Sequence, residues 1–520
     1  MSRVFFYGKD KLTVQTAVSL AEGSLHGVLA DDVKEKINRC HEHVRQMVDA
    51  GKTVYGVTTG FGILSNTKIS EEDTATLQYK ILQSHSVGVG EPIPIEIAKL
   101  MLITKIHSLS QGYSGVQLST IERILWHVEN NVIPVVPEKG SVGASGDLAP
   151  LAHLFLPLIG FGEVFFNGSR YRSQELLSKF NLSPIKLGPK EGLALINGTQ
   201  FILSFAIKAV ERLHNCLEAA DIIGAMSLES LTGTKAPFDE RLHKLRPYEG
   251  SMLVASRLQL LLEGSEIMKS HVDCGRVQDP YSLRCMPQVH GASRNAWLHL
   301  NELTEIEANS VTDNPIVFGD DDTISGGNFH GQPLALPLDY ACFAAAEIGN
   351  ISDRRCYLLL EGKWGLPMLL MNNVGLNSGF MIPQYTTAAL VTENKTLCFP
   401  ASADSIPTSV GQEDHVSMGS ISGRKLNKVL DNLEYILAIE LLCACQAIEF
   451  RRPLKSSSVL EFAHDYVRKF VGFAEEDRIF ADDISAIKNI VCNFSFVKNV
   501  NGFASSKGIE LNKGFERFVL

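Results

Sequence analysis

Residues 140–153 read Gly-Ser-Val-Gly-Ala-Ser-Gly-Asp-Leu-Ala-Pro-Leu-Ala-His, a glycine-rich stretch that leads into an apolar segment. Ser145 stands at its centre between two small residues, Ala144 and Gly146. Because glycine adopts backbone angles that other residues reach only at a cost, the stretch predicts a tight turn followed by a helix. A phosphate-binding loop would continue with Lys-Ser/Thr, and a serine-hydrolase elbow would read Gly-x-Ser-x-Gly, and neither pattern is spelled here. On spacing alone, a structural turn is the better interpretation.

The composition is that of an ordinary globular protein. The chain has 520 residues, of which 45% are hydrophobic and 20% are charged, and it is long enough for two or more domains. Its formal net charge is −10 and no long basic run stands out, which disfavours nucleic acid and anionic membranes as partners. The ten cysteines are scattered, so free thiols are the simplest interpretation. The N-terminus lacks a signal-peptide pattern, and we therefore expect a cytoplasmic protein.

Helical periodicity dominates the chain. We expect helices near residues 31–50, 70–84, 95–110 and 118–130, and a small hairpin at 164–171 that turns at Asn167-Gly168. Longer helical runs follow at 200–227, 254–269, 338–360 and 426–450, and Pro337 directly precedes the third. The last run is apolar on nearly all sides, which is typical of a helix buried in a bundle. We predict a mainly α-helical fold, with an N-terminal domain (1–200) that carries the 140–153 loop and an elongated helical bundle (201–520).

The 140–153 stretch resembles the signature of the aromatic amino-acid ammonia-lyase family, whose members share an Ala-Ser-Gly triad. The resemblance implies that the nitrogen of Gly146 attacks the carbonyl of Ala144 with loss of water, and that Ser145 loses a second water. The product would be a 4-methylidene-imidazol-5-one group, an electrophile that forms without a metal or a diffusible cofactor. The residue types suit this chemistry, because a glycine nitrogen is unhindered and a serine can become a methylidene carbon.

Further motifs extend the resemblance over nearly the whole chain. Residues 55–62, Tyr-Gly-Val-Thr-Thr-Gly-Phe-Gly, are similar to the family's tyrosine loop, in which the tyrosine, here Tyr55, acts as a base. Many relatives carry asparagine where Thr58 stands. A tyrosine base needs its pKa of about 10 lowered by its surroundings. Without the resemblance, a packed loop tyrosine would be the more common case.

Residues 278–285, Gln-Asp-Pro-Tyr-Ser-Leu-Arg-Cys, match another family motif. By resemblance, Arg284 would hold the substrate carboxylate, since its guanidinium group fits two oxygens at once. Tyr281 would lie near the electrophile and assist proton transfer, and Gln278 would contact the substrate or the electrophile. A surface salt bridge is the plain alternative for Arg284.

Two more residues match positions at the family's pocket. Asn197, in Ala-Leu-Ile-Asn-Gly-Thr-Gln (194–200), corresponds to an asparagine that hydrogen-bonds near the electrophile. Its plain alternative is a helix cap. Phe329, in Gly-Gly-Asn-Phe-His-Gly (326–331), matches a residue that borders the pocket, and an ordinary core phenylalanine is the alternative.

Two positions address the substrate. His85, in Ser84-His85, occupies the family's selectivity position, where members acting on histidine have Ser-His, although some acting on tyrosine share that pair. Glu413, in Gly-Gln-Glu-Asp-His-Val-Ser-Met (411–418), matches a glutamate of the members that act on histidine. A carboxylate can accept a hydrogen bond from an imidazole N–H, whereas beside a phenyl ring it would be buried without a partner at considerable cost. Glu413 is the better discriminator, and a surface carboxylate is its plain alternative.

The resemblance implies a carbon–nitrogen lyase that converts L-histidine into trans-urocanate and ammonia, the opening step of histidine degradation. Tyr55 would remove a β-proton, Arg284 would hold the carboxylate, and His85 with Glu413 would recognise the imidazole. Family members are homotetramers whose sites draw residues from three chains, and we expect the same here.

Alternatives remain open at this stage. The first is an ammonia-lyase for tyrosine or phenylalanine, or an aminomutase, on the same scaffold. The second is a helical assembly protein without activity, which the intact Ala-Ser-Gly triad disfavours. A metal enzyme is not expected, because His41 and His43 are two residues apart and would point in different directions on a helix, and the sequence does not spell His-Glu-x-x-His.

Overall fold

The chain folds mainly into α-helices. The computed structural model describes residues 4–60, 71–272, 275–320 and 322–520. Within these ranges it contains 20 α-helices and nine short β-strands. The predicted mainly helical fold class is confirmed.

The helices of the first 200 residues are short or of medium length. In chain order they are α1 (Val14–Glu22), α2 (Asp31–Asp49), α3 (Glu71–His85), α4 (Ile95–Leu109), α5 (Leu118–Glu129), α6 (Leu148–Phe155), α7 (Ser173–Lys179) and α8 (Glu191–Ile196). The four helices expected between residues 31 and 130 are confirmed as α2 to α5. The expected start of α3 at Ser70 lies outside the described residues.

The later helices include the four longest of the described chain, α9, α14, α15 and α17. In chain order this part contains α9 (Gln200–Ser230), α10 (Glu240–Lys244), α11 (Glu249–Leu261), α12 (Glu266–Lys269), α13 (Tyr281–Arg284), α14 (Met286–Ala308), α15 (Gln332–Leu360), α16 (Met381–Leu397), α17 (Gly419–Glu449), α18 (Ser458–Arg468), α19 (Phe480–Cys492) and α20 (Ser495–Ser506). Short 3₁₀ helices lie at Leu156–Ile159, Ala236–Phe238, Ser409–Gly411 and Glu516–Phe518.

Three of the expected long helices have different bounds in the structure. The helix expected at 254–269 is divided into α11 and α12, because Gly264 adopts a φ of +84° and the side chain of Ser265 caps α12. The helix expected at 338–360 begins at Gln332, where the carbonyl of Gly331 accepts the first helical hydrogen bonds. Pro337 therefore lies inside α15 rather than before it. The helix expected at 426–450 begins earlier, as α17 does.

The strands form small sheets. They are β1 (Val4–Phe6), β2 (His26–Val28), β3 (Val89–Pro92), β4 (Ile133–Pro134), β5 (Pro137–Lys139), β6 (Glu163–Phe166), β7 (Ser169–Arg172), β8 (Ile316–Gly319) and β9 (Asp322–Ile324). β1 and β2 are parallel, whereas β3–β5, β4–β6–β7 and β8–β9 are antiparallel. The predicted hairpin is confirmed as β6–β7, and its turn residues Asn167 and Gly168 have φ values of +49° and +74°, in agreement with a type I′ turn.

Two compact units make up the chain, and each is built from several segments. Unit 1 comprises Met1–Lys208, Leu300–Asp339 and Pro400–Arg424. Unit 2 comprises Ala209–His299, Tyr340–Phe399 and Lys425–Leu520. All nine described strands and the 140–153 loop belong to unit 1. The division into domains 1–200 and 201–520 stays a prediction.

Helix α4 lies in the interior of unit 1. Every residue from Ile97 to Leu109 is buried, so this helix is covered on all sides, unlike an amphipathic surface helix. Helices α1 and α5 pack against it. Two of its buried residues are lysines, and each ammonium group binds a protein oxygen: Lys99 binds Asn131, and Lys105 binds Asn197.

Unit 2 contains a buried ionic cluster, formed by Glu218, Asp221, Arg257 and Arg294. Arg257 binds Glu218 at 3.0 Å and Asp221 at 2.8 Å. Arg294 binds the same two carboxylates at 3.1 and 2.5 Å. Burial opposes ionisation of Glu218, but the two arginines outweigh it and lower the pKa of Glu218 to about 2. The cluster joins α9, α11 and α14.

The described part of the chain contains no disulfide bond. Its nine cysteines are free. None of its helices is both long and apolar enough to cross a membrane, and it holds no group of His, Cys, Asp or Glu arranged to bind a metal ion. The expected cytoplasmic location stays a prediction.

Candidate active site

The 140–153 loop joins β5 to α6, and its conformation requires glycine at position 146. Gly146 has a φ of +74°, in the left-handed region that favours glycine. A Cβ atom at this position would lie 2.0 Å from the carbonyl oxygen of Gly198. A larger residue at position 146 would have to displace the backbone of Gly198. Because this residue is glycine, no side chain stands beside its backbone nitrogen.

The turn Asn197-Gly198, between α8 and α9, holds this loop through hydrogen bonds. The carbonyl oxygen of Gly198 accepts from the backbone nitrogen of Asp147 at 2.7 Å. Nδ2 of Asn197 donates to the carbonyl oxygen of Ser145 at 3.0 Å. The buried carboxylate of Asp147 accepts from the backbone nitrogen of Ile202 at 3.0 Å, and burial raises the pKa of Asp147 to about 7. The loop and the start of α9 are therefore tied together.

Glu413 reaches the loop from a distant part of the chain. Oγ of Ser145 donates to Oε1 of Glu413 at 2.9 Å, and Oγ1 of Thr408 donates to Oε2 at 2.9 Å. The backbones of Thr408 and Glu413 are also joined, since Thr408 N donates to Glu413 O at 2.8 Å. Both carboxylate oxygens are therefore fixed in position.

The turn between Thr408 and Glu413 is strained. Ser409 and Val410 have φ values of +50° and +54°, and a positive φ is rare, especially for a β-branched residue. Such conformations cost about 1–3 kcal/mol each and are concentrated at functional sites. Such strain persists only where the surrounding structure determines the conformation closely. The segment that carries Glu413 is therefore held in one conformation.

A cavity of about 430 Å³ in unit 1 collects these groups. Six of the residues that the sequence predicted line it, namely Tyr55, Ala144, Ser145, Asn197, Phe329 and Glu413. Tyr55 and Ser145 thus meet within a single chain. Phe329 is half-buried at the cavity wall.

The cavity is also lined by residues that the sequence interpretation did not single out. They are Asn314, Ser325, Gly326, His330, Gln412, Asp414 and His415. The rings of His330 and His415 lie 5.6 Å apart between centroids. Both histidines stand in the motifs that contain Phe329 and Glu413. Their position close to these residues in the sequence could therefore have identified them. Asn314 and Ser325, joined by a hydrogen bond of 3.0 Å, have no chemical pattern in the sequence.

Tyr55 is half-buried and lies in a turn that the side chain of Thr58 stabilises by two hydrogen bonds. Oγ1 of Thr58 donates to the carbonyl oxygen of Lys52 at 2.7 Å and accepts from the backbone nitrogen of Val54 at 2.9 Å. The side chain of Thr58 therefore fixes the chain just before Tyr55. Residues 61 and 62 of the same motif lie outside the described residues.

His85 is the last residue of α3 and does not line the described part of the cavity. Its Nδ1 lies 3.0 Å from Oγ of Ser84. Burial lowers the pKa of His85 below 6.5, whereas the charge of Glu413 acts to raise it. The lowered pKa favours the neutral form of His85, and the residue is close enough to Glu413 to interact with it electrostatically.

Gln278, Tyr281 and Arg284 belong to unit 2. Tyr281 and Arg284 are the first and last residues of α13, and the guanidinium carbon of Arg284 lies 4.7 Å from the centre of the Tyr281 ring. Tyr281 is 71% exposed, and Gln278 is exposed as well. Nε of Arg284 has no hydrogen-bond partner among the described residues. An arginine with an unused donor is suited to bind a carboxylate.

Comparison with known proteins identifies the family. The sequence profile described as aromatic amino acid lyase matches residues 12–469. The chain belongs to this family. The histidine ammonia-lyase of Pseudoalteromonas atlantica is 45% identical to it over 497 residues, which cover 95% of this chain and 98% of that protein. The family membership inferred from the Ala-Ser-Gly stretch is confirmed.

Solved structures of aromatic amino acid lyases and related enzymes share this fold. The histidine ammonia-lyase of Trypanosoma cruzi has a TM-score of 0.90 at 39% identity, with 99% of this chain and 97% of that chain covered. The tyrosine aminomutase of Streptomyces globisporus has a TM-score of 0.91 at 31% identity, with 96% and 99% covered. Because proteins named for different substrates share one fold, the substrate has to be argued from the side chains of the pocket.

Proposed function

We propose that this chain is a histidine ammonia-lyase, which converts L-histidine into trans-urocanate and ammonia. The observation that carries the proposal is the carboxylate of Glu413, which lies in the cavity 2.9 Å from Oγ of Ser145. An imidazole N–H can donate to this carboxylate, whereas a phenyl ring has no donor and would leave the charge unpaired. The identity to the P. atlantica enzyme over nearly its whole length supports the same substrate.

The prosthetic group would form from Ala144, Ser145 and Gly146 as a 4-methylidene-imidazol-5-one. The surroundings fit this group, because Gly146 leaves its nitrogen unhindered and Nδ2 of Asn197 holds the carbonyl of Ser145. Oδ1 of Asn197 is buried without a hydrogen-bond partner in the described residues, so the amide has unused capacity next to the loop. The hydroxyl that would leave points to Glu413. The group supplies an electrophilic carbon that takes up the substrate amine.

The remaining side chains of the cavity would bind the substrate and move its proton. Tyr55, on the cavity wall, would accept the β-proton of the substrate. Glu413 would accept a hydrogen bond from the imidazole, and neutral His85 would contact the same ring. Phe329 would cover the substrate and exclude water.

The proposed roles of the unit 2 residues Gln278, Tyr281 and Arg284 depend on the assembly of several copies of the chain. We propose a homotetramer in which each site combines residues of three chains, as the family resemblance implies. Arg284 of one copy would then bind the substrate carboxylate at the cavity of another copy through two parallel hydrogen bonds. Tyr281 would assist proton transfer beside the electrophile, and Gln278 would contact the substrate.

A tyrosine ammonia-lyase or tyrosine aminomutase is the second candidate, because the structural similarity includes the tyrosine aminomutase of S. globisporus. The phenol of tyrosine can donate to Glu413, so this carboxylate excludes tyrosine less strictly than phenylalanine. A mutase returns a β-amino acid, whereas a lyase releases ammonia, and the products therefore separate the two.

The test of the proposed function follows urocanate by ultraviolet absorbance after the purified chain is mixed with L-histidine. Ser145→Ala is the matched control. We expect urocanate from the natural chain and almost none from the variant. We also expect the natural chain to have a mass that is two water molecules below the sequence value, and the variant to lack this full deficit. Turnover of tyrosine with none of histidine would contradict the substrate assignment.

Sharing of the site between copies can be tested by mixing variants. Ser145→Ala and Arg284→Ala are each expected to be inactive alone. Tetramers assembled from both variants should recover part of the activity, because some sites then receive both natural residues. Mixed tetramers that stay inactive would contradict the shared site.

A further inference from the structure

Lys105 is a buried cation next to the candidate site. It lies in α4, is 1% exposed, and its Nζ donates to the backbone carbonyl oxygen of Asn197 at 2.7 Å. This is the single hydrogen bond of the Lys105 ammonium group within the described residues. The ammonium group can make three, so most of its hydrogen-bonding capacity is unused.

Lys105 is not paired with a carboxylate of its own. The nearest charges that act on it are Asp313 and Lys190. Asp313 already binds Nζ of Lys190 at 2.7 Å and Oγ of Ser114 at 2.8 Å. Burial is the largest influence on the pKa of Lys105 and lowers it, Asp313 acts to raise it, and Lys190 acts to lower it, so that the pKa is about 7.

A gain in stability does not explain why Lys105 is buried. An isolated buried charge destabilises a protein, and a well-packed apolar side chain of the same length would remove that cost. Groups that are buried at the expense of stability and whose pKa is strongly displaced occur preferentially at functional sites. Lys105 has both properties, and its one hydrogen bond is directed at a residue of the cavity.

The carbonyl that Lys105 binds belongs to the turn that holds the Ala-Ser-Gly loop. The side chain of Asn197 donates to Ser145 O, and the next residue, Gly198, accepts from Asp147 N. Lys105 therefore binds the backbone of the turn at Asn197, and the turn binds the Ala-Ser-Gly loop through Asn197 and Gly198. Fixing the carbonyl of Asn197 limits how far its side chain can move from Ser145.

We propose that Lys105 is a positioning residue for the reaction, acting through Asn197 on the group formed at Ser145. The inference rests on the proposed function only in needing a reaction at this loop, whichever aromatic amino acid is used. A role in packing alone is the competing explanation. The two explanations predict different values of kcat when Lys105 is replaced by an apolar residue of similar length.

The experiment compares Lys105→Met with Lys99→Met in the full-length protein. Lys99 is the matched control, because it is a buried lysine on the same helix whose Nζ binds Oδ1 of Asn131 at 2.6 Å, away from the loop. Three quantities are measured for each variant: resistance to urea, the mass relative to the sequence value, and kcat and KM on the substrate that the natural chain uses.

We expect Lys105→Met to be at least as resistant to urea as the natural chain and to have a lower kcat. The decrease should be about 10- to 100-fold, the range found when a partner that orients a directly acting ligand is removed from a metal site. KM should change by less than about threefold, since no substrate-binding group is altered. Lys99→Met should retain the natural kcat. Combining Lys105→Met with Asn197→Ala should add little further loss.

Two results would overturn the proposal. One is a Lys105→Met protein that is folded, has the natural mass and retains the natural kcat. The other is a kcat that falls equally in Lys99→Met. If Lys105→Met does not fold, Lys105→Leu, which also removes the donor to Asn197, is measured instead, and an unchanged kcat there also rejects the proposal. Failure of the proposed function is distinguishable, because it would appear in the natural chain as absence of urocanate.

Discussion

Oγ of Ser145 and Oε1 of Glu413 are hydrogen-bonded at 2.9 Å, although 268 residues separate them in the chain. The contact joins the residue expected to become the electrophile to the residue expected to recognise the substrate ring. Before Ser145 loses its hydroxyl, this hydrogen bond holds Glu413 beside the loop, and the hydrogen bond from Thr408 is expected to keep the carboxylate there afterwards.

Replacing Glu413 with glutamine tests whether its charge and acceptor oxygens recognise the substrate. The amide keeps the shape and one acceptor oxygen, but it removes the charge and replaces the second oxygen, one of the two acceptors, with an N–H donor. We expect kcat/KM for L-histidine to fall about 100-fold or more, since sites built around a buried hydrogen bond lose much when it is mispaired. Urocanate formation measures this, and the mass deficit of the variant should persist, which separates recognition from maturation. An unchanged rate would reject the role of Glu413.

Thr408 is expected to act through Glu413, because its hydroxyl donates to Oε2 at 2.9 Å. In Thr408→Val this hydrogen bond is lost while the shape is kept. A hydrogen bond to a charged group contributes about 1.5–3 kcal/mol, so kcat/KM should fall about tenfold or more. Thr408→Ser keeps the hydroxyl and is the control, with an expected change of less than about threefold. Equal losses in both variants would contradict a role that belongs to the hydroxyl alone.

Gly146→Ala should prevent maturation of the loop. The added Cβ would lie 2.0 Å from the carbonyl oxygen of Gly198, so the backbone would have to move. Gly168→Ala is a matched control, since Gly168 has the same φ of +74° but no atom within 4 Å of the added carbon. The control should lose about 1–2 kcal/mol of stability from backbone strain and keep the mass deficit. Mass spectrometry of both variants decides, and a mature Gly146→Ala protein would contradict the prediction.

Acid should weaken unit 2 through its ionic cluster. The pKa of Glu218 is lowered from 4.5 to about 2 in the folded chain. A lowered pKa means stability that is fully present above the unfolded value and is lost as pH falls from about 4.5 towards 2. Urea unfolding at several pH values should show this loss.

Glu218→Gln provides the variant for the same measurement. It should be about 3 kcal/mol less stable at pH 7, because it leaves Arg257 and Arg294 without one of their carboxylates. Its stability should also depend less on pH between 4.5 and 2. Glu240→Gln is the control, since that side chain is 74% exposed, and it should retain the natural pH dependence. An unaltered pH dependence in Glu218→Gln would exclude the cluster as the cause.

The local structure of the chain could be predicted where short-range signals decide it. The hairpin at Asn167-Gly168 and helices α2 to α5 follow from turn residues and periodicity alone. Pro337 misled the prediction of α15, because proline is typical of a helix start, whereas this helix begins upstream at the carbonyl of Gly331 and continues through Pro337. The break at Gly264 was missed because apolar residues continue on both sides of it.

The candidate site could be predicted where residues stand in motifs. Ser145, Asn197 and Glu413 were identified in this way, and the structure gathers them around one cavity. Thr408 could not be identified, because its contact with Glu413 depends on an unusual left-handed turn that has no sequence pattern. Lys105 is one of two lysines among the mostly apolar residues of α4, but the partner of a buried charge can be found only in three dimensions.

Gly146 and Gly198 meet through main-chain atoms, and this has an evolutionary consequence. The main-chain hydrogen bond from Asp147 N to Gly198 O does not involve Phe329 or Glu413, so this contact of the reactive loop is expected to persist when either residue is exchanged. Diversification towards new amino acids then needs only a few exchanges on the surrounding loops, each selectable by itself. A library aimed at new substrates should randomise those loops and keep residues 143–147 and 197–198 unchanged.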